Sequence, residues 1–375
     1  MGTILFISNI TYKITSFSSS SIYAAHKMGM RFIHAANWSE TPAEQINLLE
    51  KQNDITICNV PISRSPFSLS NIKAFKQLCR IVKENNVEYI HCNTPVGGLL
   101  GRLVGKKCHV KKVIYQAHGF HFYKGAPLKN WLIYYYIEKI LARFTDVIVT
   151  MNGEDYANAQ KFRLRNKGKV YNVHGVGIDI SEYDGIQQYR EGKRREFGFK
   201  DDDVVLISMG DLILRKNYKV AIEAIAKCKN PNIHYLICGK GAELNNLKQL
   251  AKDLGVQKQV YFLGYRTDIK ELLAAADIFL FTTLQEGMPR SMMEAMAAGL
   301  PCIASKIRGN VDLIENGKGG FLCAPTDSDA VAKAIRLCTY DVRQKFGRAN
   351  LIAIQQYDIH VVEEEIRKIY EEVFQ

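Results

Sequence analysis

The feature that most constrains the fold is a regular alternation of short apolar runs, rich in β-branched residues, with longer amphipathic runs. Typical short runs are TILFISNI (3–10), YIHCN (89–93), VVLISMG (204–210) and IFLFTT (278–283), and helical patterns such as YKVAIEAIAKC (218–228) separate them. This β-α-β order predicts parallel sheets covered by helices on both faces. Because the series occurs twice, the sequence predicts an α/β protein with two doubly wound, Rossmann-like domains.

The predicted domain boundaries follow from the stretch VHGVGIDISEYDG near residues 174–185, which separates the two series. We predict an N-terminal domain over residues 1–178 and a C-terminal domain over 179–355. An amphipathic helix over 356–375 is predicted to cross back to the N-terminal domain. Open α/β sheets bind ligands beyond the carboxyl ends of their strands, so two facing domains predict an interdomain cleft.

The positive charge of the chain is concentrated in one half. Residues 1–180 carry 23 Lys and Arg against 11 Asp and Glu, whereas residues 181–375 carry 27 of each kind. Such asymmetry suggests an anionic membrane surface or a phosphate-bearing substrate as partner of the first half, with a merely solvated basic face as the alternative. A nucleic-acid partner is not expected, since no recognition-helix, zinc-finger or RNP-like pattern is present.

The nine cysteines are scattered without a C-x-x-C pair, and no apolar run reaches eighteen residues. We therefore expect reduced thiols, no zinc, no membrane span and a cytoplasmic protein. The start MGTILFISNI lacks a basic region before its apolar run, so no signal peptide is predicted.

The stretch QEGMPRSMMEAMAAGLP (285–301) places Glu286 and Glu294 on either side of a predicted helix start. Pro289 suits the first helical position, because its fixed φ is helical and its missing N–H would have no partner there. Glu286 then lies in the loop and Glu294 about one and a half turns inside the helix. Both could face an anion, such as a phosphate, seated over the helix N-terminus.

Three other strand ends carry candidate ligand-binding residues. Arg215 and Lys216 follow the strand that ends at Gly210, and they suit a phosphate, although such a pair is often only a solvated surface feature. The turn with Gly239 and Gly241 resembles a nucleotide-binding turn but has neither common spacing. His118 follows another strand end, where a histidine can hydrogen-bond or transfer protons at neutral pH.

The aromatic stretch WLIYYYIEKILARF (131–144) is flanked by Lys124, Lys129, Lys139 and Arg143. Its Tyr and Trp side chains suit a membrane interface or a domain core. The core interpretation is favoured slightly. The acidic stretches DDD (201–203) and DSD (327–329) are interpreted as turns and helix caps and not as metal sites.

Taken together, these motifs resemble the retaining GT-B glycosyltransferases that use nucleotide sugars and carry the Glu-x7-Glu signature, glycosyl transferases group 1. The signature here is EGMPRSMMEAMAAGLP. Other stretches, including HCNTPVGGLLGRL, AHGFHFYKGAPLKNW and TDVIVTMNGEDY, resemble the capsule and exopolysaccharide branch, so the resemblance covers nearly the whole chain.

The resemblance implies a role for each matching residue. Glu286 would face the donor sugar, Glu294 would accept hydrogen bonds from the ribose, and His118 would contact the sugar and the acceptor side. Lys216 would hold the diphosphate with Arg215 as a second clamp, so His118, Glu286 and Lys216 are the predicted catalytic residues. The remaining predicted donor-binding positions are Gly210, Tyr265, Arg266, Gly287, Met288, Pro289, Arg290 and Ser291.

Two departures from the family pattern concern the phosphate and acceptor sides. Asp211 stands where many members have an arginine, so phosphate binding would depend more on Lys216, Arg215 and the helix terminus. The first loop, NITYKITSFSSSS, lacks the usual glycine pair. Its serines still allow close approach of a ligand, but the acceptor geometry stays open.

The resemblance implies retaining transfer of a sugar from a nucleotide-diphosphate sugar, with UDP favoured, to a hydroxyl of a lipid-linked saccharide in cell-surface polysaccharide synthesis. No metal or other cofactor is expected, and the enzyme would associate peripherally with the inner face of the plasma membrane. The alternatives are a catalytically idle partner subunit of a polysaccharide assembly complex and another GT-B chemistry, such as sugar-nucleotide epimerisation.

Overall fold

A computed structural model describes residues 2–374 of the chain. The described residues divide into two compact units. Unit 1 contains the residues up to Gly177 together with those from Ile359 onward, and unit 2 contains Ile178–Asp358. The boundaries predicted from the sequence were 178 and 355.

Unit 1 is built around a parallel sheet that has seven strands within the described residues, in the order β3-β2-β1-β4-β5-β6-β7. The strands are β1 (Thr3–Ile10), β2 (Arg31–Asn37), β3 (Thr56–Asn59), β4 (Tyr89–Asn93), β5 (Lys112–Gln116), β6 (Val147–Thr150) and β7 (Lys169–Asn172). The central strands are almost continuously apolar because helices cover both faces of the sheet.

The helices of unit 1 form two layers. Those that precede unit 2 in the chain are α1 (Ser16–Lys27), α2 (Ala43–Asn53), α3 (Ser70–Glu84), α4 (Pro95–Cys108), α5 (Leu128–Asn130), α6 (Tyr136–Leu141) and α7 (Gly153–Ala159). A wide π-helical turn, Trp131–Tyr135, joins α5 to α6, and the 3-10 turn Ala142–Phe144 continues the segment. Helix α4 contacts both α3 and α6, so these three helices share one layer.

Unit 2 repeats this plan with a parallel sheet whose six strands in the described chain are ordered β10-β9-β8-β11-β12-β13. Its strands are β8 (Val204–Met209), β9 (Ile233–Cys238), β10 (Val260–Gly264), β11 (Ile278–Phe281), β12 (Cys302–Ser305) and β13 (Gly320–Cys323). Its helices are α8 (Arg190–Phe197), α9 (Tyr218–Cys228), α10 (Leu244–Asp253), α11 (Ile269–Ala275), α12 (Arg290–Ala297), α13 (Asn310–Leu313), α14 (Ser328–Leu337) and α15 (Tyr340–Ala353). Asp327 caps α14 by accepting a hydrogen bond from the Ala330 N–H, which confirms the interpretation of DSD as a helix cap.

The final helix, α16 (Ile359–Phe374), belongs to unit 1 and packs along α1. The Tyr23 hydroxyl donates to Glu364 Oε1 at 2.8 Å, and Tyr370 Oη lies 2.6 Å from His91 Nδ1 in the interior. Ile366 and Val373 are buried on the same face of α16. The helix therefore completes one layer of unit 1.

In each sheet the strand order reverses between two adjacent strands, β1 and β4 in unit 1 and β8 and β11 in unit 2. Ligands of doubly wound proteins bind at this switch point, beyond the carboxyl ends of the strands. In unit 2 the chain is packed tightly there, since a Cβ on Gly239 would lie 1.9 Å from the Gly210 carbonyl oxygen. Only glycine fits at position 239 without moving the backbone.

The prediction of a core location for the stretch 131–144 is wrong for most of its residues. Trp131, Tyr135 and Leu141 pack inward, but six large apolar side chains of the stretch are exposed: Leu132, Ile133, Tyr134, Tyr136, Ile137 and Ile140. No helix among residues 2–374 is long and apolar enough to cross a membrane.

Candidate active site

The switch point of unit 2 is formed by the loops that follow β8 and β11. Arg215 and Lys216 lie in a 3-10 turn, Leu214–Lys216, directly before α9. The two loops are hydrogen-bonded to each other, since Asn217 Nδ2 donates to the Thr282 carbonyl at 3.1 Å and Leu284 N donates to the Arg215 carbonyl at 2.8 Å. The structure therefore brings the predicted phosphate-binding cations next to the predicted signature segment.

Glu286 is the centre of this arrangement. Its Oε1 accepts hydrogen bonds from Lys216 Nζ at 2.7 Å, from Thr283 Oγ1 at 2.8 Å and from Arg215 Nη1 at 3.2 Å. Glu286 and Lys216 are 11% and 13% exposed, whereas Arg215 is 41% exposed. The carboxylate thus fixes two cations at the carboxyl end of the sheet, with Lys216 the more enclosed of the two.

A third cation contacts the backbone of the same residue. Arg308, in the loop after β12, donates from Nε to the Glu286 carbonyl at 3.0 Å. Two cationic side chains therefore contact the Glu286 carboxylate and a third contacts its backbone carbonyl, and such a group of cations suits an anion.

The sequence predicted that Pro289 occupies the first helical position of α12, and this prediction is wrong. Pro289 is the N-cap of α12, with φ −80° and ψ 109°, and the helix begins at Arg290. The extended ψ of the N-cap turns the chain into the helix one residue later, so Glu294 lies about one turn inside. Because proline has no N–H, Pro289 contributes no backbone donor to this predicted phosphate-binding segment.

Glu294 is 19% exposed, and its Oε1 accepts from Arg290 Nε at 2.9 Å, one helical turn away. Glu286 lies in the preceding loop and accepts hydrogen bonds from other side chains than Glu294 does. The two signature carboxylates consequently face different surroundings, which agrees with separate tasks and not with an acid/base pair.

Gly309 holds the signature loop from behind. Its φ is +82°, and a Cβ added there would lie 2.5 Å from the Gly287 carbonyl oxygen. A side chain at this position would be strained and would displace the loop that carries Glu286. Gly210 has φ +147°, a conformation that L side chains rarely adopt, and a Cβ there would lie 3.2 Å from the flexible end of Lys216.

Two predicted donor-binding residues, Tyr265 and Arg266, follow strand β10, and they differ in whether their side chains are available to a ligand. Tyr265 is 75% exposed. Arg266 is paired with Asp268, Nε to Oδ1 at 2.7 Å, and it holds the pKa of that carboxyl well below its usual range. Tyr265 is thus open to a ligand such as a base, whereas the guanidinium of Arg266 is already engaged within the protein.

His118 belongs to unit 1 and lies just beyond the end of β5. Both ring nitrogens are enclosed and have no hydrogen-bond partner, and the ring packs edge-on against Phe17 at 4.6 Å between centroids. Burial lowers the pKa of His118 to about 4, so the ring is neutral at pH 7. At that pH it offers one hydrogen-bond donor and one acceptor and carries no proton to transfer as a cation.

The His118 ring lines a cavity of about 380 Å³ at the switch point of unit 1. The cavity walls come from the ends of β1 and β4, from the loop 10–15 and from the start of α1. Asn93 Oδ1 and His34 Nδ1 are also buried there without a partner. Buried polar atoms normally have partners, so these groups are suited to a ligand that supplies them.

Four residues at these sites were not predicted from the sequence: Thr283, Arg308, Gly309 and Asn93. Thr283 and Asn93 could have been found as polar residues at the carboxyl ends of apolar runs. Arg308 and Gly309 follow the run CIAS in the same way, but only the fold brings them against Gly287 and Glu286. Within residues 2–374, no group of three or more His, Cys, Asp or Glu side chains is arranged to hold a metal ion.

Two family models match the chain. Residues 190–349 match the model of glycosyl transferases group 1, and residues 23–152 match the glycosyl transferase 4-like model. The putative glycosyltransferase EpsD of Bacillus subtilis (strain 168) is 36% identical over 337 residues, covering 88% of this chain and 86% of the relative. An Escherichia coli UDP-Gal:alpha-D-GlcNAc-diphosphoundecaprenol alpha-1,3-galactosyltransferase is 29% identical, covering 73% and 72%.

Solved structures share the fold at low sequence identity. The crystal structure of Anabaena HepE in complex with UDP has a TM-score of 0.80 and 21% identity, and 99% of this chain and 100% of that chain are covered. WaaG, a glycosyltransferase involved in lipopolysaccharide biosynthesis, has a TM-score of 0.70 and 18% identity, with 98% and 99% covered.

The protein is therefore an enzyme of the GT-B fold class, with two Rossmann-like domains. It belongs to the family of glycosyl transferases group 1 and is a glycosyltransferase, as the sequence analysis predicted.

Proposed function

We propose that this glycosyltransferase moves a sugar from a UDP-sugar to a hydroxyl of a lipid-diphosphate-linked saccharide, with retention at the anomeric carbon and without a metal ion. The observation that carries the proposal is the cluster of Lys216, Arg215 and Arg308 around Glu286 at the switch point of unit 2. Fixed cations of this kind can neutralise a diphosphate.

The choice of donor and acceptor is supported by the relatives. The E. coli relative is named for UDP-Gal and for a diphosphoundecaprenol-linked acceptor, and a Campylobacter jejuni relative, 24% identical, also acts on a diphospho-undecaprenol substrate by its name. The similar fold of HepE was solved with UDP and with UDP-glucose. Production of a capsular or extracellular polysaccharide is the corresponding pathway.

In the proposed reaction, the bond between the anomeric carbon and the β-phosphate oxygen breaks while the acceptor oxygen bonds to the same face of that carbon. The acceptor proton passes to the departing phosphate oxygen. Negative charge grows on the diphosphate, and Lys216, Arg215 and the backbone N–H groups at the start of α12 stabilise it more than they stabilise the bound donor. Glu286 keeps both cations in place, so they need not reorganise during the reaction.

The other proposed contacts complete the site. Glu294 binds the ribose hydroxyls, and Tyr265 lies beside the base. Neutral His118 and Asn93 hydrogen-bond to sugar or acceptor hydroxyls in unit 1. We further propose that the enzyme works at the cytoplasmic face of the plasma membrane, where the basic half of the chain meets anionic lipid.

The test is a transfer assay with the purified chain, UDP-sugars and a short-chain lipid-diphosphate saccharide, run with EDTA throughout. We expect turnover in EDTA and a product whose anomeric configuration matches the donor by NMR. UDP is expected to raise the melting temperature more than GDP, because only a bound ligand stabilises the fold by mass action. An inverted product, or activity that appears only after a divalent metal is added, would contradict the proposed mechanism.

A further inference from the structure

The helical segment Leu128–Phe144 has an unusual orientation for an amphipathic segment of a globular protein. Its one carboxylate, Glu138, points inward and is paired with Arg102, which is fully buried on α4. Arg102 Nη1 lies 2.5 Å from Glu138 Oε2, and Nη2 lies 3.1 Å from Oε1. The only carboxylate of the segment is inside, while most of its large apolar side chains are outside.

The buried ion pair fixes this orientation. Arg102 also donates from Nε to the Gly98 carbonyl at 2.9 Å, and its guanidinium stacks 3.8 Å from the centre of the Tyr115 ring. Rotating the segment to bury its apolar residues would leave the Arg102 guanidinium uncompensated inside unit 1, which is strongly unfavourable. The ion pair therefore holds these apolar residues on the outside of unit 1.

Six side chains form the outward surface, which we call the apolar face: Leu128, Leu132, Ile133, Tyr136, Ile137 and Ile140. Their exposed fractions run from 42% to 73%. Four of them follow at intervals of four residues, and the π-helical turn Trp131–Tyr135 offsets the drift that this spacing has in a regular α-helix. The residues therefore line up along one side of the segment.

Cations surround the apolar face. Lys129, Lys139 and Arg143 are exposed on the segment itself, and Lys124 precedes it. Glu138 is neutralised by Arg102, and Glu154 lies at the Lys124 end, where it accepts from the Lys124 N–H. The immediate surroundings of the apolar face are consequently positive.

We propose that the apolar face is the surface by which this enzyme inserts into the interface of an anionic lipid bilayer, which rests on the membrane-associated function proposed above. A row of six exposed large apolar side chains marks an interaction site, and a cationic rim with aromatic residues is the pattern of interfacial helices. A second copy of the chain is a poorer occupant, because two positively charged rims would repel each other.

The experiment is sedimentation of the full chain with vesicles of phosphatidylcholine alone or with 30% phosphatidylglycerol. The wild type is expected to bind the anionic vesicles, and Leu132→Asp/Tyr136→Asp/Ile140→Asp is expected to bind them at least tenfold more weakly. Lys129→Glu/Lys139→Glu should lose affinity for anionic vesicles by about fivefold or more per cation and keep its weak affinity for neutral ones. High salt should reduce the wild-type binding in the same direction.

The matched control is Leu254→Asp/Leu337→Asp/Ile352→Asp, which places three aspartates at exposed apolar positions of unit 2. It is expected to sediment like the wild type. Melting curves should show that both triple variants are folded. The shift in melting temperature caused by UDP, measured on the wild type and on both variants, tests the donor site independently. If UDP does not raise the melting temperature of the wild type, the proposed function is refuted and this inference is not.

Two results would overturn the inference. One is equal binding of the wild type and the apolar-face variant to anionic vesicles. The other is a wild-type dimer in solution that dissociates in that variant while neither protein binds vesicles, because the face would then be a self-association surface.

Discussion

The two switch points of this enzyme differ in how their polar groups are satisfied. In unit 2, Glu286, Lys216 and Arg215 are charged and already paired with one another. In unit 1, His118 and Asn93 are neutral and buried without partners. A fixed cluster of charges suits a polyanion, whereas neutral unpaired donors and acceptors suit hydroxyl groups. The same architecture thus provides two chemically distinct sites.

The largest expected effect is that of removing the enclosed cation of unit 2. Lys216→Ala should lower kcat/KM by about 10²-fold to 10³-fold, because a preorganised donor to the developing charge is lost. Steady-state kinetics with a UDP-sugar and acceptor measures it. Lys219→Ala, an exposed lysine on α9 whose nearest carboxylate is Glu223 at 3.7 Å, is the control and should be nearly as active as the wild type.

A companion variant tests whether Glu286 acts through the same cluster. Glu286→Gln should reduce kcat by roughly 10²-fold, since a neutral amide no longer holds both cations. Essentially unchanged turnover in Lys216→Ala or in Glu286→Gln would show that the charged cluster of unit 2 is not the catalytic centre.

A smaller effect is expected in unit 1. His118→Phe keeps an aromatic ring but removes both nitrogens, and it should lower kcat by about tenfold through loss of a hydrogen bond. The melting shift caused by UDP should stay unchanged, because the proposed diphosphate contacts lie in unit 2. His109→Asn, an exposed position with φ +56°, is the control. Loss of UDP binding in His118→Phe would remove the proposed division between the two switch points.

The smallest effect concerns pH and stability. Burial lowers the pKa of His34 and His91 to about 3 and that of His118 to about 4, all in unit 1. The unfolded chain protonates these rings near pH 6.5 while the folded chain does not, so unit 1 loses stability as the pH falls from about 6.5 toward 4. The slope is at most about 1.4 kcal/mol per pH unit for each ring.

Hydrogen exchange at pH 7.0 and 5.0, corrected for intrinsic rates, would measure this difference. The hydrogen bond to Glu365 raises the pKa of His174, so the stabilisation by His174 increases as the pH falls from 7.0 and is complete below pH 6.5. It opposes the loss from the three buried rings only in that upper part of the pH range. We expect the slowest amides of β1 and β4 to lose protection relative to those of β8 and β11. Equal loss in both units would contradict the assignment of the effect to the buried histidines.

The sequence was sufficient for the fold class and for the proximity of Lys216 to Glu286. Apolar runs with β-α-β order determine a parallel sheet, and residues at adjacent strand ends then meet at one edge. The predicted start of α12 was one residue too early, because a proline fits both the N-cap and the first helical position. The contact of Arg308 with Glu286 depends on β12 lying beside β11, which local patterns do not encode.

The orientation of the segment 128–144 could not be derived from its own pattern. Hydrophobic periodicity predicts that Leu132, Tyr136 and Ile140 face a core. The partner that reverses this preference, Arg102, lies 36 residues before Glu138 and on another helix. Leaving a buried guanidinium without a carboxylate costs more free energy than exposing these aliphatic side chains, so the long-range ion pair overrides the local hydrophobic pattern.

The return of α16 to unit 1 has a consequence for synthesis of the protein. The whole of unit 2 lies between α7 and α16 in the chain, so the ribosome makes unit 2 before it makes the helix that covers α1. Unit 2 can close its core while unit 1 still lacks the helix that completes one of its layers, with Tyr370 not yet beside His91. The nascent N-terminal unit therefore exposes an apolar surface for the time that about 180 residues take to be translated, on the order of 10 to 40 seconds, and we expect chaperones to bind it there.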